Sequence, residues 1–152
     1  MSSHLDLEKI KDTEIHIHIP EGAIPKEGPS AGITMVAAMI SALKKQRIST
    51  KIALTGEISL TGSIFPVGGL NEKLLAAKRT GITEIIVPQK NAKEISELPK
   101  ELVNGIKLHK VKKVEEALKI TFGPELFKAA KKAGKSGSVA SRKKPPIKAK
   151  KP

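Results

Sequence analysis

The segment Gly28-Pro29-Ser30-Ala31-Gly32 puts a serine between small residues where a Gly/Pro-rich stretch gives way to an apolar one. Peptide N–H groups at a helix start lack intrahelical partners, and the helix dipole is positive there. Such a place can stabilise an oxyanion, and flanking Gly and Ala let another backbone come close. The alternative is that Ser30 only caps the helix. A second candidate is Lys73, four residues after Gly69 in the run Gly68-Gly69-Leu70-Asn71-Glu72-Lys73. Its helical neighbours Gly69, Leu70, Ala76 and Ala77 are uncharged. Burial and the positive end of a helix both favour a neutral amine, which can take a proton from a serine hydroxyl. The alternative is a lysine that extends its ammonium into solvent. Lys78 has similar neighbours but stands near the other end of that helix, where the dipole favours the ammonium.

Other chemistries find less support. Aspartate occurs only at Asp6 and Asp12, so a Ser-His-Asp triad would need a residue from the polar start of the chain. The nearest approach to a phosphate loop, Gly134-Lys135-Ser136, has Ala129 where the opening glycine belongs. No ATPase is visible. His16 and His18 have a spacing that suits zinc, with His109 as a conceivable third ligand, or else they line a polar face. Absence of cysteine excludes disulfides, thiolate metal sites and a cysteine nucleophile, and is compatible with a reducing compartment.

The elements that must position these residues alternate along the chain. Residues 1–13 read as a flexible lead-in. Glu14-Ile15-His16-Ile17-His18-Ile19-Pro20 alternates strictly, as a half-buried strand does, and a loop follows to Gly28. Pro29 to about Lys45 is a helix apolar around most of its circumference, hence expected to be buried, with Pro29 near its first position. Lys51–Gly56 and Glu57–Val67 are strand-rich, with a turn at Thr61-Gly62-Ser63. A helix over Leu70–Thr80 stops at Gly81. Glu84–Pro88 is a buried strand, Asn91 an N-cap for a short helix ending before Pro99, Ile106–Val111 the last strand and Val114 to about Phe122 the last helix. This order predicts a layered α/β or α+β domain over residues 14–125.

The chain has 152 residues, 39% of them hydrophobic, enough for one core. With no Trp or Tyr, that core must be aliphatic. The net charge of +13 is mostly a property of the tail: ten Lys/Arg and no acid lie beyond residue 125. Residues 126–152 are therefore expected to be a disordered basic tail. Its run Lys143-Lys144-Pro145-Pro146-Ile147-Lys148 could contact a polyanion without sequence preference, or simply be solvated. No run of about 18 apolar residues suggests a membrane span, and nothing resembles a signal peptide.

Taken together, Pro25-Lys26-Glu27-Gly28-Pro29-Ser30-Ala31-Gly32 resembles the nucleophile motif of the Lon proteases. Pro20-Glu21-Gly22 before it, Thr55-Gly56-Glu57 after it and Gly68–Lys73 later match in order and spacing, so the resemblance covers about residues 14–121. It implies a Lon-type peptidase fold, a mixed β-sheet packed by helices, and a Ser–Lys dyad of Ser30 and Lys73. It implies that Thr55 supports the lysine by hydrogen bonding, and that Glu57, His16 and His18 lie near the dyad. Glu27 stands where the family usually has Asp. The resemblance further implies a hexameric ring in the cytoplasm acting on misfolded or short-lived proteins. ATP and Mg would be used by an ATPase module that this chain does not carry, so no cofactor is expected in the chain itself. The resemblance also leads one to expect strands before Glu14 that this sequence does not supply. A catalytically inactive fragment that docks onto intact subunits is thus the alternative expectation.

Overall fold

A computed structural model describes residues 13–18 and 28–127. Glu27, the lead-in up to residue 12, the Gly134-Lys135-Ser136 run and the basic segment Lys143–Lys148 lie outside the described residues.

Helix α1 spans Gly32–Lys44. It closes at Lys45, which adopts a left-handed conformation (φ 52°), and the Gln46 N–H donates back to the Ser41 carbonyl at 3.0 Å. Three short strands follow: β1 (Ile52–Leu54), β2 (Glu57–Ile58) and β3 (Ile64–Phe65). Then come α2 (Leu70–Arg79), β4 (Glu84–Pro88), the short helices α3 (Ala92–Glu97) and α4 (Lys100–Val103), β5 (Lys107–Val111) and α5 (Val114–Phe122). Helix α2 stops as its sequence predicts: Gly81 has φ 72°, and the Ile82 N–H reaches the Ala77 carbonyl at 2.9 Å.

Strands β1, β4 and β5 form a parallel sheet in the order β1-β4-β5, with Ala53 opposite Ile85 and Ile85 opposite Leu108. Strands β2 and β3 form a separate antiparallel pair. The parallel sheet divides two layers by the alternation of its side chains. Ile85 and Val87 face a cluster with Leu70, Leu74 and Ala77 of α2 and Ile95 of α3. Ile86 and Val111 face Ile33 of α1 and Ala117 of α5. A third cluster joins Ala37 to Leu118 and Phe122. The core is aliphatic apart from Phe122, as the composition requires.

Four expectations need correction. Residues 13–18 pair with no described strand, and Ile15 and Ile17 are 45% and 48% exposed, so the alternation there does not become a half-buried strand. Alternation supplies an apolar face, but a strand also needs a neighbour for its backbone groups. Helix α1 starts at Gly32 rather than at Pro29. It is buried along one stripe only: Ile33 and Ala37 are fully buried, while Met35, Val36 and Met39 are half-buried. Residues off the stripe have no covering layer among the described residues. Asn91 holds the N-cap position of α3 as expected, but its side chain makes no capping bond there, and α4, absent from the sequence reading, extends the β4–β5 connection.

Candidate active site

Ser30 sits in the turn before α1, and its backbone is fastened to the chain leaving β1. The Ser30 carbonyl accepts from the Gly56 N–H at 2.9 Å and from the Thr55 hydroxyl at 3.3 Å. In return the Ile33 N–H donates to the Gly56 carbonyl at 3.1 Å, and the Thr34 hydroxyl donates to the Leu54 carbonyl at 2.8 Å. This contact is close because two residues lack a side chain. A Cβ on Gly32 would stand 3.0 Å from Ile58 Cγ1, and one on Gly56 would stand 2.9 Å from Ile64 Cγ2. Thr55 is buried and its own N–H joins the Ile86 carbonyl at 3.0 Å, which ties the turn to β4. Ser30 is half-buried, and its hydroxyl makes no hydrogen bond to a described residue. The cap position of α1 is Ala31, without a side-chain cap, so the serine does not act as the helix cap.

Lys73 lies in the first turn of α2, where the sequence places it. Its ammonium donates to the Gly68 carbonyl at 2.7 Å. Gly69 begins the helix in a left-handed conformation (φ 68°), and a Cβ there would be 3.5 Å from Lys73 Nζ. The loop carrying Gly68 is held by Asn91. The buried Asn91 amide accepts from the Val67 N–H at 3.0 Å and donates to the Val67 carbonyl at 2.8 Å, and it also donates to Glu94 Oε2 at 2.8 Å. One side chain thus imitates a strand partner for Val67. Sequence reasoning missed this role, since nothing local to Asn91 points to a partner 24 residues away. Lys78, the competing lysine, is exposed and donates to the Glu101 carbonyl.

Ser30 and Lys73 line two clefts in common. One, of about 340 Å³, is bounded by Gly28, Pro29, Glu57 and the loop Pro66–Gly69. The other, of about 500 Å³, runs over β1 between α1 and α2, with Thr34, Leu54, Thr55, Leu70 and Leu74 on its walls. The serine and lysine stand where a cleft of mixed polarity meets a mostly apolar one. Glu57 and Thr55 share these clefts with them, one in each. Thr55 donates to the backbone of Ser30, and Lys73 donates to Gly68, so the threonine's bond here is to the serine segment rather than to the lysine. His16 and His18 are exposed and line neither cleft.

His109 is engaged elsewhere. Its Nε2 meets Glu84 Oε2 at 2.6 Å on the α1/α5 face of the sheet, and Lys107 Nζ is 3.9 Å from the same oxygen. The hydrogen bond from His109, with the nearby positive charge of Lys107, holds the Glu84 carboxyl below its ordinary 4.5. Among the described residues no three His, Cys, Asp or Glu side chains converge as metal ligands would. No helix among them is long and apolar enough to cross a membrane.

Comparison with known proteins adds the following. The family model described as the Lon protease (S16) C-terminal proteolytic domain matches residues 1–123. A Lon protease of Porphyromonas gingivalis is 54% identical over 106 residues, which is 70% of this chain and 12% of that protein. Lon protease of Mycoplasma mycoides is 49% identical over 115 residues, 76% of this chain and 14% of its own length. Lon protease 2 of Thermus thermophilus is 44% identical over 140 residues, 92% of this chain and 17% of that protein. The chain spans less than a fifth of the length of these relatives.

Proposed function

The chain belongs to the family of Lon (S16) C-terminal proteolytic domains, and from that premise we propose that it hydrolyses peptide bonds with Ser30 as nucleophile and Lys73 as general base. The observation that carries this reading is that both side chains open onto the same two clefts. In the neutral form Lys73 can keep donating to the Gly68 carbonyl while its lone pair accepts the Ser30 proton. The Ser30 oxygen then bonds to the scissile carbonyl carbon, and the carbonyl electrons move onto oxygen at the positive end of α1. Collapse breaks the C–N bond, and the departing amine takes the proton from Lys73. Water, deprotonated by Lys73, next attacks the Ser30 ester and releases the acid, and the proton returns to Ser30. Thr55 acts as a positioning residue by holding the Ser30 carbonyl, and Glu57 supplies negative charge to the cleft of mixed polarity.

Substrates on this reading are extended segments of unfolded protein. ATP-driven unfolding is supplied by ATPase subunits, with assembly into a ring. The test is cleavage of a short fluorogenic peptide without ATP by the full chain, by Ser30→Ala and by Lys73→Ala. The expected outcome is turnover in the parent and loss of at least ~1,000-fold in both variants, by analogy with removal of a nucleophile elsewhere. Equal turnover by Ser30→Ala would refute the dyad. A folded parent with no turnover would favour the docking fragment instead.

A further inference from the structure

A third cleft, of about 360 Å³, lies away from Ser30 and Lys73 and is lined by Ser59, Thr61 and Ser63 of the β2–β3 turn and by Lys90, Lys112 and Lys113. We propose that it is a binding site for the phosphoryl group of a small molecule.

The frame is built of backbone. The Ser63 segment bridges Lys113, the Ile64 N–H donates to the Lys112 carbonyl at 2.9 Å, and the Val114 N–H donates to the Gly62 carbonyl at 3.0 Å. The turn is fixed internally by the Ser63 N–H on Ser59 Oγ at 3.1 Å. Lysines that would ordinarily spread into solvent are directed by specific contacts. Lys113 Nζ donates to Ser63 Oγ at 2.9 Å, and Lys90 Nζ stands 5.2 Å from the centre of the Phe65 ring. Ser63 thereby keeps its own hydroxyl proton for a ligand. Ser59 and Thr61 share one bond at 2.9 Å, which leaves one of their two protons to spare. The cleft thus offers donors from the turn, from the exit of β4 and from the β5–α5 junction. No carboxylate lines it. Of the nearby acids, Glu116 accepts the Lys112 N–H at 2.8 Å, and Glu115 Oε1 stands 3.7 Å from where a Cβ on Gly62 would lie.

Two placements support the assignment. Lys90 and Lys112 follow the carboxyl ends of adjacent parallel strands, the side of an α/β sheet where ligands gather. Lys112 and Lys113 also stand immediately before α5, where the helix dipole already adds positive potential. Donors arriving from three sides suit a tetrahedral oxyanion with three or four acceptors better than a planar carboxylate with two.

The test is a residue-resolved amide NMR titration of the full chain with inorganic phosphate, then pyrophosphate, against chloride at equal ionic strength. Saturable shifts at Gly62, Ser63, Lys90, Lys113 and Val114 are expected with phosphate and not with chloride. Lys112→Gln/Lys113→Gln should weaken binding by ~10-fold or more, the loss expected from removing charge-assisted bonds. If that variant misfolds, Lys90→Gln, altered only at an exposed side chain, should still weaken binding several-fold. Shifts confined to residues 128–152, or matched by chloride, would overturn the proposal. Tighter binding of pyrophosphate would identify a source with linked phosphoryl groups, and equal binding a single one.

Discussion

Ser30 owes its position to hydrogen bonds on its carbonyl rather than on its hydroxyl. The Gly56 N–H and the Thr55 hydroxyl both grip that oxygen, and the hydroxyl is left without a partner among the described residues. The proposed nucleophile would need this division, with the carrier fixed and the oxygen free to react. Thr55→Val removes one of the two grips and keeps the shape, at a stability cost of about 1 kcal/mol. On the proposed mechanism kcat should fall roughly tenfold, which is about 1.4 kcal/mol of barrier, while KM changes little. Steady-state kinetics on the fluorogenic peptide separate the two. A rise in KM alone would show that the threonine shapes the cleft rather than positions the serine. The sequence alone could not have indicated this contact, because Thr55 and Ser30 are 25 residues apart.

Among the elements, the loop that presents Gly68 to Lys73 depends on Asn91. Asn91→Ala leaves the buried Val67 N–H and carbonyl unpaired. It should cost about 2–3 kcal/mol, read as a lower urea midpoint. On the proposed mechanism, because Val67 adjoins Gly68, peptide cleavage should fall beyond what the lost stability explains. Cleavage unchanged per folded molecule would detach this loop from the lysine. Strand β4 and helix α5 were legible to the residue, since one is a short apolar run closed by Pro88 and the other an amphipathic stretch stopped by Gly123. Helix α2 was legible from Gly69 and Gly81 at its ends. The start of α1 was not, because a proline three residues too early offered a plausible first position. Residues 13–18 misled for a different reason. Their period-two pattern is a property of the segment, whereas pairing belongs to two segments at once.

For the molecule as a whole, the layered α/β class followed from the order of elements, and the aliphatic core from the absence of Trp and Tyr. The split into a parallel sheet and a separate hairpin did not, because strand direction leaves no mark in a three-residue run. Stability against acid should carry the signature of the pair between Glu84 and His109, which crosses β4 to β5. Glu84 is held below 4.5 in the folded chain, so the pair's contribution is complete above that value and is lost as pH falls through the lower folded one. Glu84→Gln should therefore lower Tm at neutral pH, with the gap to the parent closing below about pH 4.5. A gap that widens in acid would contradict this. The two sides of the sheet have a last consequence. Ser30 enters with α1, whose buried stripe rests on one face, and Lys73 enters with α2, whose stripe rests on the other. On the proposed mechanism the two reacting atoms are like the tips of a caliper closed over β1, an edge strand of the sheet, and their gap is set by how both layers seat. Packing defects deep in either layer should then blunt turnover while the chain is still folded, so that the rate becomes a gauge of alignment between two cores that share no helix.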